Sequence, residues 1–151
     1  MYNRILLATD GTIASANAES HAIDLAATHD ADLYVLYVVD ESVYTAYSGD
    51  EYVNEAEGPE HGLTEHGQET LDRVHAVAND NGVEFVETLR HGGPVKTIIE
   101  YGDDQDVDLI VLGTKHRSAE YRALLGSVTD RVLRLTARPT LVIKTEADSR
   151  E

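Results

Sequence analysis

Cysteine is missing from all 151 residues. Its absence excludes disulfides, zinc–thiolate sites, iron–sulfur clusters and cysteine nucleophiles together. Tryptophan is absent too, Phe85 is the single phenylalanine, and lysine occurs only at Lys96, Lys115 and Lys144. No apolar run approaches the roughly 18–20 residues that a membrane helix needs. The opening MYNRILLATD is too short in its apolar part for a secretory signal. The expectation is a soluble, cytoplasmic protein with no membrane partner.

Negative charge is what the chain has in quantity. Asp plus Glu number 28 against 12 Lys plus Arg, a net charge of −16. Such a field repels phosphate backbones, which argues against a nucleic acid partner. Many acids, few lysines and a thin set of large apolar residues suit a halophilic protein in a high-salt cytoplasm. At molar salt the Debye length is about 3 Å, which screens the self-repulsion of an acidic surface. The alternative is an acidic face that docks a cationic partner, but the acids are spread along the chain rather than gathered in one block. With 42% hydrophobic and 26% charged residues the composition is globular, and the length predicts a single domain over residues 1–151.

Four apolar runs rich in β-branched residues, Ile5–Thr9, Leu33–Val39, Leu109–Leu112 and Thr140–Ile143, read as strands covered on both faces. Val83–Leu89 alternates and fits a strand nearer an edge. Helical spacing marks Ala14–His29, Thr64–Asn81, Pro94–Tyr101 and Ser127–Leu135, with Gly82 as a C-terminal cap and Pro94 in a first turn. The order β-α-β-α-β-α-β-α-β predicts parallel strands joined by right-handed crossovers, an α/β three-layer fold. Asp40–Leu63 stands apart. It holds seven acids, no Lys or Arg, and Tyr44, Tyr47 and Tyr52. It reads as a long acidic loop at about 40–63, solvated on the plain view and a lid over a ligand on the sharper one.

In open parallel sheets, ligands bind beyond the carboxyl ends of the strands. The residues there are Thr9-Asp10-Gly11-Thr12, Val39-Asp40, His91-Gly92-Gly93-Pro94 and Gly113-Thr114-Lys115-His116-Arg117-Ser118. The last of these runs on to Gly126-Ser127-Val128-Thr129, at the start of the final helix. A helix N-terminus offers unpaired N–H groups and partial positive charge, and Gly126 admits a close approach. With Lys115 and Arg117 this is an anion cradle in an acidic chain. The plain alternative is that Ser127 caps its helix and the glycines make turns. The seven histidines show no His-x3-His spacing, and Ser127 has no evident His–Asp relay. A phosphorylation receiver would need an aspartate where His91-Gly92-Gly93 stands.

The segment VLGTKHRSAEYRALLGSVTDRVLR closely resembles the closing segment of the universal stress protein family, whose pattern is Gly-x2-Gly-x9-Gly-(Ser/Thr). Here Gly113, His116 and Gly126-Ser127 stand at that spacing. YNRILLATDGT, VDLIVLGT and RPTLVIK match the family's usual shape as well. The resemblance implies a Rossmann-like fold with five parallel strands ordered 3-2-1-4-5 and four helices, first and fourth strands being neighbours. It implies an ATP site with Thr9 and Asp10 near the adenosine, Asp10 a ribose partner, Val39 meeting adenine through its backbone and Gly113 near the ribose. Lys115 and His116 would lie along the phosphates, and Gly126, Ser127, Val128 and Thr129 would bind the outer phosphates. Mg2+ would accompany them. His116 departs from the family's glycine: it either donates to a phosphate or crowds the cradle with its Cβ.

The expected function is an ATP-binding regulatory or protective module of a stress response, with weak hydrolysis at most. Two rivals stand beside it: a nucleotide-free dimeric interaction protein of the same family, and a slow ATPase or phosphoryl-transfer protein using Lys115, His116 and Ser127. Family members usually pair through the last strand. Here Arg138–Lys144 would be an exposed apolar edge if left alone, so a homodimer is expected.

Overall fold

The computed structural model describes residues 1–10, 13–40, 59–116 and 127–146. Its elements run β1 (Arg4–Thr9), α1 (Ile13–His29), β2 (Asp32–Asp40), α2 (Pro59–Asp80), β3 (Phe85–Gly92), α3 (Pro94–Asp104), β4 (Leu109–His116), α4 (Ser127–Leu135) and β5 (Thr140–Glu146). All four strand pairings are parallel, and the sheet order is β3-β2-β1-β4-β5. This is the expected α/β Rossmann-like architecture, with four helices among the described residues.

Side chains alternate across the sheet, and each face has its own core. Ile5, Leu7, Leu33, Val35 and Val111 pack under the apolar stripes of α1 and α2, among them Ala18, Ala22, Ala26, Leu71, Val74 and Ala78. Leu6, Leu36, Ile110 and Leu112 pack under α3 and α4, against Ile98, Tyr101 and Val132. Burial on both faces is why the first, second and fourth strands read as continuous apolar runs.

Three helices end in the same way. Asp30, Gly82 and Asp106 adopt left-handed φ of 53°, 70° and 51°. The next amide reaches back to the helix: Ala31 to the Ala26 carbonyl at 2.9 Å, Val83 to Ala78 at 3.0 Å and Val107 to Gly102 at 3.1 Å. These are Schellman closures, and the residue after each left-handed position is buried. Gly82 is thus the cap that the sequence predicts, while the two aspartates fill the same role without glycine.

The observed boundaries correct several expectations. β3 starts at Phe85, not Val83, because the Val83 amide is used to close α2. It continues to Gly92, paired with Asp40. β4 does not stop at Leu112: Gly113–His116 is strand rather than loop, paired with Ile143–Glu146 of β5. The polar residues there end the apolar run but not the ladder. α2 begins at Pro59, so residues 59–63 of the expected acidic loop are helical. Proline at the first helical position loses no hydrogen bond and has its φ already set. The rest of that loop, 41–58, lies outside the described residues, and with it Tyr44, Tyr47, Tyr52 and the lid reading. α3 runs on past Tyr101 to Asp104, with Gly102 buried against Leu6, Val107 and Ile110.

Candidate functional site

A cavity of about 320 Å³ opens at the carboxyl ends of the strands, on the side of α3 and α4. Its floor is apolar: Ala8, Leu36, Val38, Leu112, Ile98 and Val128. Its rim is polar: Thr9, Asp10, Ser15, Asp40, Gly113 and Thr129. Strand order creates this place. β1 is flanked by β2 on one side and β4 on the other, so the chain leaves their ends in different directions and a crevice remains between.

Each wall is held by contacts that the local sequence explains. Asp10 follows the last residue of β1. Its amide donates to Ser15 Oγ at 3.3 Å, and Ser15 Oγ donates back to Asp10 Oδ1 at 2.8 Å. Thr9 is buried and donates its hydroxyl to Glu19 Oε2 at 2.6 Å, on the opposite side of β1 from the α3–α4 core. On the far wall, Thr129 Oγ1 in the first turn of α4 donates to the Gly113 carbonyl at 3.1 Å, tying that helix to β4. Tyr37 lines the cavity between these walls. Burial, and then the nearby Asp10 carboxylate, push its phenol above the ordinary tyrosine value, so it stays a neutral donor at physiological pH.

The chemistry of this arrangement is that of a binding pocket for a small, partly flat, hydroxylated molecule. Aliphatic walls accept a ring face, the Asp10 and Asp40 carboxylates accept hydrogen bonds from donors, and α4 brings the positive end of its dipole to the Gly113 side.

Of the residues expected at the site, Thr9, Asp10, Val39, Gly113, Val128 and Thr129 line this one cavity. Asp10 and Gly113, 103 positions apart, thereby share a site. Ser127 is exposed at the start of α4. Lys115 and His116 continue β4, and their side chains lie outside what is described, as does Gly126. Pro94, named in the His91–Pro94 stretch at the end of the third strand, also lines the cavity, whereas sequence reasoning missed Ser15, Leu63 and Ile98. Ile98 carried a signal, since the helix that begins at Pro94 must start at the same end of the sheet. Ser15 carried none.

The profile of the universal stress protein family matches residues 1–144. The chain belongs to the universal stress protein family. Universal stress protein MJ0531 of Methanocaldococcus jannaschii is 36% identical over 147 residues, covering 95% of this chain and 83% of its own. The solved structure of the hypothetical protein MJ0577 superposes with a TM-score of 0.78 at 26% identity, covering 98% of this chain and 99% of that one. Two universal stress protein structures below 25% identity share the fold. One is in complex with cAMP (TM-score 0.64, 21% identity, 95% and 97% covered). The other, from Archaeoglobus fulgidus, is in complex with dAMP (TM-score 0.67, 20% identity, 95% and 98% covered).

The universal stress protein fold here contains no helix among the described residues that is long and apolar enough to cross a membrane. Nor do the described residues include a cluster of three or more His, Asp or Glu able to hold a metal ion.

Proposed function

We propose that this universal stress protein binds an adenine nucleotide, ATP with Mg2+, in the cavity between the ends of β1, β2 and β4, and acts as a regulatory or protective module of a stress response. The observation that carries the reading is the cavity itself: an apolar slot with a carboxylate on one wall and a helix N-terminus on the other. Adenine enters the aliphatic part beside Val39, ribose meets Asp10 and Gly113, and the phosphates run toward Lys115, His116 and the Gly126-Ser127-Val128-Thr129 turn. The cAMP and dAMP held by two fold relatives are adenine nucleotides, which supports this class of ligand. Magnesium would arrive on the phosphates, keeping several waters, and would offset the nearby carboxylates.

Equilibrium dialysis in molar potassium chloride with magnesium, on protein stripped of nucleotide, tests this. A dissociation constant in the micromolar range is expected, and Gly126→Val abolishes it by filling the phosphate approach. No binding by a folded sample overturns the reading and favours a nucleotide-free interaction protein. His116→Gly separates the two roles of that residue: binding strengthens if histidine crowds the cradle and weakens if it holds a phosphate.

A homodimer through β5 belongs to the same reading. β5 hydrogen-bonds only to β4 among the described residues, and Leu141, Val142 and Ile143 are half-buried. Residues 115–151 hold eight of the twelve Lys and Arg but five of the 28 acids. A stretch of sequence with less negative charge than the rest of the chain lowers the repulsion between two copies that meet through β5. Sedimentation of a monomer at micromolar concentration in high salt would sink the dimer.

A further inference from the structure

We infer that the Tyr37 hydroxyl is a ligand-binding group, which hydrogen-bonds the nucleoside part of the bound nucleotide at the β2 end of the cavity. This rests on the nucleotide reading above and adds to the site a side chain from the opposite face of the sheet.

Tyr37 is 5% exposed and lines the cavity. It pairs in register with Thr9 on one side and Leu89 on the other. These side chains leave the sheet toward α1 and α2, away from the core that holds Leu36, Val38 and Leu112. The ring is held without its oxygen. One edge fills the notch at Gly67, where a Cβ would stand 2.6 Å from Cδ1 and 2.8 Å from Cε1, and His66 meets the ring edge-on at 6.0 Å between centroids. Among the described residues, no hydrogen bond reaches the Tyr37 oxygen. Most buried polar side-chain atoms in proteins have a partner, and an unpaired one costs stability. The oxygen also lies within the field of the cavity rim: after burial, the Asp10 carboxylate is the second cause that lifts the phenol above its ordinary pKa. The hydroxyl therefore stays protonated. It can donate as well as accept, whereas the carboxylates of Asp10 and Asp40 only accept. Purine ring nitrogens and sugar oxygens call for a donor, and Tyr37 supplies one. The wall proposed for the phosphates lies elsewhere, on β4 and α4, and β4 is two strands from β2, roughly 10 Å across the sheet. A hydroxyl that is already buried and unpaired has little left to desolvate, so the bond it makes with a ligand counts nearly in full.

Tyr37→Phe removes the oxygen and leaves the ring in its notch. The test sets thermal unfolding without nucleotide beside the binding of ATP and of AMP, in molar potassium chloride with magnesium. The free variant should unfold at an unchanged or higher temperature, because no bond within the fold is lost. Both nucleotides should bind about five- to tenfold more weakly, the scale of one hydrogen bond, because both carry the nucleoside part. Tyr34→Phe, on the opposite face of β2 and outside the cavity lining, should leave ATP binding within about twofold. Unchanged binding by Tyr37→Phe overturns the inference and leaves the nucleotide reading standing. A free variant that unfolds at a lower temperature does the same, since the hydroxyl then has its partner inside the fold. A loss for ATP without a loss for AMP also overturns it, by moving the contact to the outer phosphates. A wild type that binds neither nucleotide overturns the nucleotide reading, and this inference with it.

Discussion

Glu19 sits on the buried side of α1 with 4% of its surface exposed, an unusual place for a carboxylate. It is tolerated because both oxygens are occupied. Thr9 donates to Oε2, and Arg73 of α2 reaches Oε1 at 2.9 Å and Oε2 at 3.4 Å. Removing the cation leaves a buried charge without its partner. Arg73→Met should therefore destabilise the fold by about 2 kcal/mol, less than for a fully buried pair because water reaches the half-exposed guanidinium. Urea unfolding at fixed salt measures it. Asp108 makes a different kind of bond. It accepts the amides of Asn3 and Arg4 at 2.8 and 2.9 Å, and those bonds hold its carboxyl below the ordinary value. Since the folded form binds the proton less readily than the unfolded one, the contribution is present at neutral pH and lost as pH falls through the depressed folded value. Asp108→Asn, which does not titrate, should flatten that part of the acid limb below about pH 4, read as midpoint denaturant concentration against pH. Neither residue announces itself in the sequence. Arg73 is 54 positions from Glu19, and no local pattern says that this one glutamate turns inward.

Helices and strands were legible where burial and chain period coincide. The run Leu33–Val39 is apolar on both sides because β2 lies between β1 and β3 with helices above and below, and its strand extends only one residue further at each end. Boundaries failed where hydrogen bonding outlasted hydrophobicity, as in β4 beyond Leu112, or where a helix began in polar sequence, as in α2 at Pro59. Two glycines of α2 and its end make contrasting tests. Gly82 has φ of 70°, and a Cβ there would meet nothing within 4 Å, so Gly82→Ala should cost about 1 kcal/mol, from backbone conformation alone. Gly67 lies where α2 crosses β2. A Cβ there would stand 2.6 Å from the Tyr37 ring and 2.9 Å from Leu89 Cδ1. Gly67→Ala should cost about 1–3 kcal/mol through overpacking, and because Tyr37 lines the cavity it should weaken nucleotide binding as well. Thermal unfolding of both variants, with binding measured beside it, separates the two mechanisms.

At the scale of the whole molecule the governing quantity is the charge of −16. Among the described residues, helix faces carry acids such as Glu69, Asp72, Asp103 and Asp104, and Arg138, just before β5, reaches Asp103 and Asp106 at 2.9 and 3.2 Å. Such a surface repels itself at low ionic strength. Raising potassium chloride from about 0.1 M to 2 M shortens the Debye length from about 10 Å toward 3 Å or less and should raise the thermal midpoint by several degrees. Differential scanning calorimetry across that series checks it, and an unchanged or falling midpoint would remove the high-salt reading of the composition. The same screening should strengthen any β5-mediated dimer, because the copies then approach with less repulsion.

Local information carried much of this protein. Periodicity separated five strands from four helices, Gly82 and Pro94 marked where two helices end and begin, and the Gly113-x2-His116-x9-Gly126-Ser127 spacing, through the family it resembles, pointed to the strand order. All of these are properties of neighbouring residues or of fixed spacing along one chain, which a linear text preserves. What waited for the folded chain was how individual side chains of different elements meet. The Ser15 hydroxyl turns back on Asp10, Glu19 pairs with Arg73, Gly113 accepts from Thr129, and Pro94 and Ile98 close a cavity begun by Ala8 and Asp10. Those relations depend on which way each side chain leaves a twisted sheet and how closely the helices pack on it, and that is settled only when the two cores form together.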